Sequence, residues 1–295
     1  MEKAPIKLSP VVWGHWRLPE WHLSQHQLLY RTQQCIDIGV TTIDSADIYG
    51  DYSCEKLFGD ALALEPSVRN QIQIITKCGI RLISGKFPEV TVKHYDYSYN
   101  HIVSLVELSL KNFRTDRIDL LLLHRPSPLL NPEEVATAFN HLKSSGKVLH
   151  FGVSNFLPHQ TELLQSFLNI PLEVNQIEVS PLQLEHLHNG NLDYLIQKRI
   201  IPMAWSPLGG GSIFNPKTET EKRISKTIHK ISGETNLLPE QVAISWLATH
   251  PSAIIPVVGS GKFERIKNAY NALNTKLSTQ QWFEVYSASI GKEVP

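Results

Sequence analysis

The sequence is poor in the features that mark several protein classes. Three cysteines, Cys35, Cys54 and Cys78, stand far apart in 295 residues. An odd, sparse set does not make a disulfide framework in a chain of this size, and a reducing, cytoplasmic setting fits it. No Cys-x-x-Cys pair offers a zinc site. No run of about 20 apolar residues is present to span a bilayer. Met1 to Pro10 carries charge and two prolines and lacks an apolar core, so it does not read as a signal peptide. Charge of one sign is also missing: 28 basic residues balance 28 acidic ones. Binding to nucleic acid or anionic membrane needs clustered basic surface, and a neutral chain has no bulk version of it. A Gly-x-Gly-x-x-Gly turn after an early strand is absent, which argues against an open doubly wound nucleotide-binding sheet. Gly209-Gly210-Gly211 is a weak substitute and reads as a flexible loop.

What is present is ordinary globular material. With 42% hydrophobic and 19% charged residues the chain can bury a sizeable core, and it is too apolar for disorder. Length alone suggests two domains at about 150 residues each, but α/β barrels of roughly 250 residues fold as one. Short β-type runs alternate with amphipathic segments almost from end to end. Ser24 looks like the N-cap of a helix through about Ile38, with Leu28, Leu29, Thr32, Cys35 and Ile36 on one face and Gly39 as the stop. Residues 99–113 repeat apolar side chains at helical spacing through Ile102, Val106, Leu110 and Phe113. Ile118 to Leu123 is a continuous apolar run, as expected of a strand buried on both faces. Further helices are expected at 54–63, 132–145, 159–168, 192–198, 219–231, 239–249, 262–273 and 279–287. Eight strands followed by helices fall near residues 11, 41, 73, 119, 149, 173, 201 and 255. Eight βα units in this length predict a closed (β/α)8 TIM barrel, a single domain over residues 1–295, rather than an open sheet.

Chemistry in such a barrel lies at the C-terminal ends of the strands. Asp44, Lys77, His124, Ser154-Asn155, Gln176, Trp205-Ser206-Pro207 and Gly259-Ser260 stand where the apolar runs stop. Each has a plain structural explanation taken alone. Asp44 could cap a turn, Lys77 could be a surface lysine, and His124 a satisfied core histidine. Tyr49 could be a loop aromatic, and Trp205 a core tryptophan. Ionisable groups ending three successive runs weaken all of these together. His186, His188 and Glu185 also cluster, but three neighbours on one loop rarely close a tetrahedral metal shell, so no metal is expected.

Thr42-Ile43-Asp44-Ser45-Ala46-Asp47-Ile48-Tyr49-Gly50 resembles the aldo-keto reductase signature, in which an aspartate precedes a tyrosine by five positions. Ile74 to Lys77, Asp119 to His124, Phe151 to Phe156, Val174 to Gln176, Ala204 to Leu208 and Ile255 to Ser260 continue the resemblance in family order. His124-Arg125-Pro126, Lys77-Cys78-Gly79-Ile80 and Glu293-Val294-Pro295 look like the bacterial YdhF-type oxidoreductases of that superfamily. The resemblance implies an NADPH-dependent oxidoreductase that reduces an aldehyde or ketone to an alcohol. Tyr49 would be its proton donor and Lys77 the cation that lowers the pKa of that phenol. Asp44 would pair with Lys77, and His124 would polarise the carbonyl. Asp47 and Asp51 are nearby carboxylates without a partner at a matching strand end.

No side chain supplies a hydride, so a cofactor must. The resemblance implies NADP(H) lying across the barrel mouth. Ser154, Asn155 and Gln176 would hold its carboxamide and Trp205 would stack on its ring. Ser206, Pro207 and Leu208 would follow the pyrophosphate. Ser260, Gly261, Lys262 and Arg265 open a helix that would hold the 2′-phosphate, with Asn268 toward the adenine. Gly259 stands where some relatives carry a lysine. Trp16 would wall the substrate pocket, possible neighbours being Trp13, Trp21 and His22. The partner expected is a small carbonyl compound, shaped by loops 80–100, 125–131 and 208–218. Barrels of this kind also serve as cofactor-binding regulatory subunits, which tight NADPH binding without turnover would reveal. A hydrolase using Asp44 and Asp47 fits poorly, because the two lie three apart on one loop and cannot flank a bond.

Overall fold

The computed structural model describes residues 6–295, so the reading of Met1–Pro10 lies in part outside the described residues. Eight parallel strands close into a barrel. They are β1 Val12–Gly14, β2 Thr42–Asp44, β3 Gln73–Cys78, β6 Ile118–Leu123, β7 Val148–Ser154, β8 Leu172–Glu178, β9 Ile201–Trp205 and β10 Ile255–Val258. A small antiparallel pair, β4 Ile80–Arg81 and β5 His94–Tyr95, follows β3 in the chain and lies outside the barrel. Neighbours run in sequence order around the ring, and β1 closes it by pairing with both β2 and β10. All eight strands fall at the sites expected from the apolar runs.

Strand geometry explains why these sequences serve. Successive side chains point to opposite faces, so each strand sorts its residues by parity. Val12, Ile75, Leu120, Leu122, Val174, Met203 and Val257 fill the lumen, and Ile6 closes it from below. The residues between them, such as Trp13, Ile43, Ile74, Leu121, Leu123, Phe151 and Val153, face the surrounding helices. Both faces are buried, as expected for a parallel sheet wrapped by helices.

The helices follow their caps. Gln25–Asp37 begins at Ser24, whose hydroxyl accepts from the Gln27 amide while the Gln27 side chain accepts from the Ser24 amide. This reciprocal pair satisfies two orphan donors of the first turn. Thr218 with Glu221, and Ser278 with Gln281, repeat the device. Two helices outrun expectation. Glu219–Thr235 continues four residues further, carried by Ile228 and Ile231. Thr279–Ile290 runs on to Gly291, which caps it in the left-handed region. Pro158–Gln165 stops earlier than expected. The pair β4–β5 was not foreseen in loop 80–100, since two-residue strands carry no periodicity.

Backbone approach is tightest where helix Cys54–Leu62 crosses helix Tyr99–Phe113. A Cβ on Gly59 would lie 2.0 Å from the Asn112 carbonyl oxygen. Gly59→Ala should therefore lower stability by about 2–3 kcal/mol, read as a fall in the urea midpoint. Gly85→Ala, where a Cβ meets nothing within 4 Å, should change it by no more than about 0.5 kcal/mol. Equal effects of the two would contradict the packing described.

Candidate active site

The parity that fills the lumen also sets the mouth of the barrel. Two residues beyond Ile75 stands Lys77, beyond Leu122 stands His124, and beyond Val174 stands Gln176. The same step leads from Met203 to Trp205 and from Val257 to Gly259. Asp44 and Ser154 end β2 and β7 on that side. All of these mouth residues except Lys77 form, with Tyr49, the floor of a cavity of about 1130 Å³.

Lys77 sits under this floor, 1% exposed, with Asp44 at 3%. An ammonium removed from water loses several kcal/mol of solvation unless every proton finds an acceptor. Here all three do: Asp44 Oδ1 at 2.7 Å, the Ser45 carbonyl at 2.8 Å and the Tyr49 hydroxyl at 3.1 Å. Gln176 Nε2 donates a second bond to Asp44 Oδ1 at 2.9 Å. Burial pulls the Lys77 pKa down, but Asp44 and Tyr49 more than offset it, leaving the amine above its ordinary value and firmly cationic.

Tyr49 follows β2 in a turn whose next three residues, Gly50, Asp51 and Tyr52, all have positive φ. Left-handed backbone at Asp51 and Tyr52 is strained for L side chains. It turns the chain back sharply after Tyr49. The phenol oxygen accepts from Lys77, and its own proton has no acceptor among the described residues. Sequence reasoning expects Lys77 to lower the phenol pKa. The structure shows the opposite balance: burial raises it above 10 and outweighs the downward pull of Lys77.

The His124 ring lies edge-on to Tyr49, centroids 5.7 Å apart. Burial, with Lys77, Arg125 and Lys93 adding to it, holds its pKa well below the ordinary value, so the ring is neutral. Its Nδ1 is buried without a partner, and Nε2 makes no protein hydrogen bond. Asp47 does not join this group. It points away from the cavity lining, its Oδ2 is buried and unpartnered, and burial beside Glu55 pushes its pKa well up.

The remaining expected contacts divide. Trp16, Ser154, Asn155, Gln176, Trp205, Ser206, Pro207, Leu208, Ser260 and Arg265 line the cavity. Asn155 and Ser206 have positive φ, so both strand ends turn sharply there. Trp205 Nε1 donates to Asn155 Oδ1, and Asn155 Nδ2 donates to Ser154 Oγ, which fixes the indole. Gly261, Lys262 and Asn268 do not line the cavity. Gly261 backs onto the Trp21 ring, Lys262 is the exposed N-cap of helix Phe263–Ala272, and Asn268 donates to Glu240. Trp13 is core, stacked on Trp21 at 5.5 Å, and neither of them nor His22 reaches the cavity. His186 and His188 bond Asn191 and Tyr286, and the described residues hold no group of three side chains suited to a metal. Sequence reading missed Arg17, Lys93, Arg125 and Glu240, which also line the cavity. Arg125 directly follows His124 and was the one with a signal.

Described residues 6–295 thus present a barrel with a buried lysine–carboxylate–phenol chain under a long mouth cavity. The Aldo/keto reductase family profile matches residues 10–290, and the chain belongs to that family. It is 50% identical to the oxidoreductase YcsN of Bacillus subtilis (strain 168), covering 98% of this chain and 97% of that one. To oxidoreductase YdhF of Escherichia coli (strain K12) it is 46% identical, covering 98% and 96%. An aldo/keto reductase from Klebsiella pneumoniae, solved in complex with NADP and acetate, shares the fold with a TM-score of 0.76 at 20% identity, covering 94% of this chain and 90% of that one.

Asp44→Asn keeps the shape of the site and strips its charge. Uncompensated, the buried ammonium should lower stability by about 3–5 kcal/mol in urea unfolding. The double variant Asp44→Asn/Lys77→Met should regain part of that loss. An unchanged midpoint in the single variant would mean that the amine is not held as a cation.

Proposed function

We propose that the protein is an NADP(H)-dependent carbonyl reductase in which Tyr49 donates the proton. The observation that carries this reading is the Lys77 ammonium, salt-bridged to Asp44 and 3.1 Å from a phenol whose proton is unclaimed. The cavity fits a dinucleotide in kind. Its lining includes the phenol and imidazole and also Arg265, which has no ion-pair partner among the described residues. Gly259 leaves open space just beyond the end of β10, where a Cβ would meet nothing closer than 3.7 Å. Trp205, held by Asn155, offers a fixed aromatic face. Ser154, Asn155 and Gln176 surround the carboxamide position, and Gln176 Oε1 has no protein donor. Ser206 to Leu208 would flank the diphosphate, and Ser260 with Arg265 would hold the 2′-phosphate. Neighbouring aldo/keto reductase architecture solved with NADP supports the choice of cofactor.

When bound, the dihydronicotinamide supplies a hydride to the carbonyl carbon. His124 Nε2 donates to the carbonyl oxygen and draws electron density from the carbon. Trp16 walls the substrate above it. As the oxygen gains negative charge it takes the proton of Tyr49, giving the alcohol. Lys77 stabilises the phenolate left behind, and solvent at the mouth returns the proton. A phenol with a raised pKa stays protonated through neutral pH, which suits donation; oxidation of the alcohol needs the phenolate and gains with pH. We further infer a single catalytic domain over residues 1–295, acting in the cytoplasm. Three free, buried cysteines support a reducing compartment, and no helix of the described residues is long and apolar enough to cross a membrane.

Tyr49→Phe should reduce kcat for NADPH-coupled aldehyde reduction by about 10²–10⁴ while NADPH still quenches tryptophan fluorescence. Undiminished turnover would reject the assigned acid, and binding without turnover in the wild type would identify a regulatory subunit instead. The wild-type reduction rate should be flat from about pH 6 to 9. His124, its pKa lowered, stays neutral above that value, and Tyr49, its pKa raised, stays protonated below it. An acidic limb near the ordinary histidine value would contradict the neutral imidazole.

Arg265→Ala should weaken NADPH by about 10–100-fold and NADH by no more than about twofold, measured by fluorescence titration. An unaltered ratio would remove Arg265 from the 2′-phosphate site.

A further inference from the structure

We propose that the carbonyl substrate carries an anionic group, a carboxylate or a phosphate, which Arg125 grips at the cavity mouth with Lys93 and Arg17 beside it. This rests on the reductase reading above and names its substrate class.

The charges lining the cavity are unevenly placed. Arg17, Lys93 and Arg125 line it together with Trp16, Tyr49 and His124. Of its lining carboxylates, Asp44 is committed to Lys77, and Glu240 accepts from Asn268 on the helices flanking Arg265. Arg17, Lys93 and Arg125 thus line the cavity with no free lining carboxylate to meet them. None of the three makes a salt bridge or side-chain hydrogen bond among the described residues. Several exposed cations elsewhere do find carboxylates, Lys56 and Arg114 with Asp60 and Lys230 with Glu284. Unpaired cations converging on one cavity are an electrostatic trap for an anion.

Arg125 is the best placed of them. Its backbone is clamped at both ends by one hydroxyl: Tyr97 donates to the Arg125 carbonyl at 2.5 Å and accepts from its amide at 3.0 Å. Tyr97 is itself buried, its ring filling the space a Cβ on Gly79 would take, only 1.9 Å from Cε1. The guanidinium lies 5.3 Å from the Trp205 ring centroid, which holds it by a cation–π contact and leaves its N–H fork unspent. A planar fork with no acceptor matches a carboxylate or a phosphate in two parallel bonds. Arg125 and Lys93 also act on His124, and Arg125 on Tyr49, so their field reaches the reacting carbonyl. Glu178, at the end of β8, acts on Arg125 through space but makes no salt bridge with it, so an anionic substituent would still find the N–H groups of the guanidinium without an acceptor.

The test is a pair of matched comparisons with NADPH: succinic semialdehyde against butanal, and glyceraldehyde 3-phosphate against glyceraldehyde. In the wild type, kcat/KM should favour the charged member of at least one pair by about tenfold or more, and the pair showing it tells carboxylate from phosphate. The preference should shrink as salt rises. Arg125→Gln should collapse the ratio toward one through KM, Lys93→Gln should lower it less, and Arg125→Lys should keep part of it. A wild-type ratio at or below one in both pairs, or a ratio unmoved in Arg125→Gln/Lys93→Gln, overturns the proposal. If no carbonyl compound consumes NADPH, the reductase reading fails, and the anion site is then read alone. Succinate or inorganic phosphate should quench tryptophan fluorescence in the wild type and not in the double variant. Absence of both signals overturns the anion site as well.

Discussion

A lysine ammonium with almost no contact with water is the constraint around which the rest of the barrel mouth is arranged. Several kcal/mol of lost solvation must be offset by acceptors in fixed places. One comes from the end of β2, one from the backbone just after it, and one from Tyr49 in the following turn. Each acceptor is thereby committed to a position. The phenol oxygen cannot leave without stranding a proton of the ammonium, and the carboxylate cannot leave without stranding the charge. Buried pairs of this kind add little net stability by themselves. What this one does is hold a proton-bearing hydroxyl at the bottom of a cavity, with a permanent cation behind it.

Positioning follows from the regularity of the strands and from a few departures from it. The alternation that packs Ile75, Leu122, Val174 and Met203 into the lumen obliges the residue two further on to face the mouth. The departures lie next to the same groups. Positive φ at Asp51 and Tyr52, at Asn155 and at Ser206 turns the chain where each strand end meets the cavity. Left-handed backbone at non-glycine residues costs free energy and persists where surrounding contacts enforce it. Tyr52 is enforced in part by the Leu82 amide, which donates to its hydroxyl at 3.0 Å and ties this turn to the outer hairpin.

The cavity is also electrically graded. A neutral imidazole and an uncharged phenol sit among cations, so the field there favours negative charge developing on oxygen. Cations crowd His124 and help to keep it uncharged, although burial is the larger cause. Burial, by contrast, penalises a carboxylate that no cation bonds directly. Asp47 illustrates this: buried beside Glu55, it gains proton affinity and stays out of the cavity.

Much was legible in the residues. Eight apolar runs, their spacing and the cap at Ser24 determine the βα alternation, and strand parity alone places Asp44, Lys77 and His124 on one face of one ring. The family signature ties Tyr49 to that face. Beyond the Asp44–Lys77 pair that the resemblance implies, side-chain partnership was not legible, because it depends on distances between segments far apart in sequence. Gln176 reaches Asp44 across 132 positions, and Trp13 turns out to donate to the Ser260 carbonyl from the core. The net pKa of Tyr49 was likewise decided only by folding, since burial and a neighbouring cation act in opposite directions and sequence carries no measure of burial. Gly261, Lys262 and Asn268 look like lining residues in one dimension, yet the packing of a single ring, Trp21, and the turn of one helix set them behind the cavity wall. Local periodicity fixes which elements form and which way each side chain points; only closure of the barrel brings charges from separate strands close enough to change one another's chemistry.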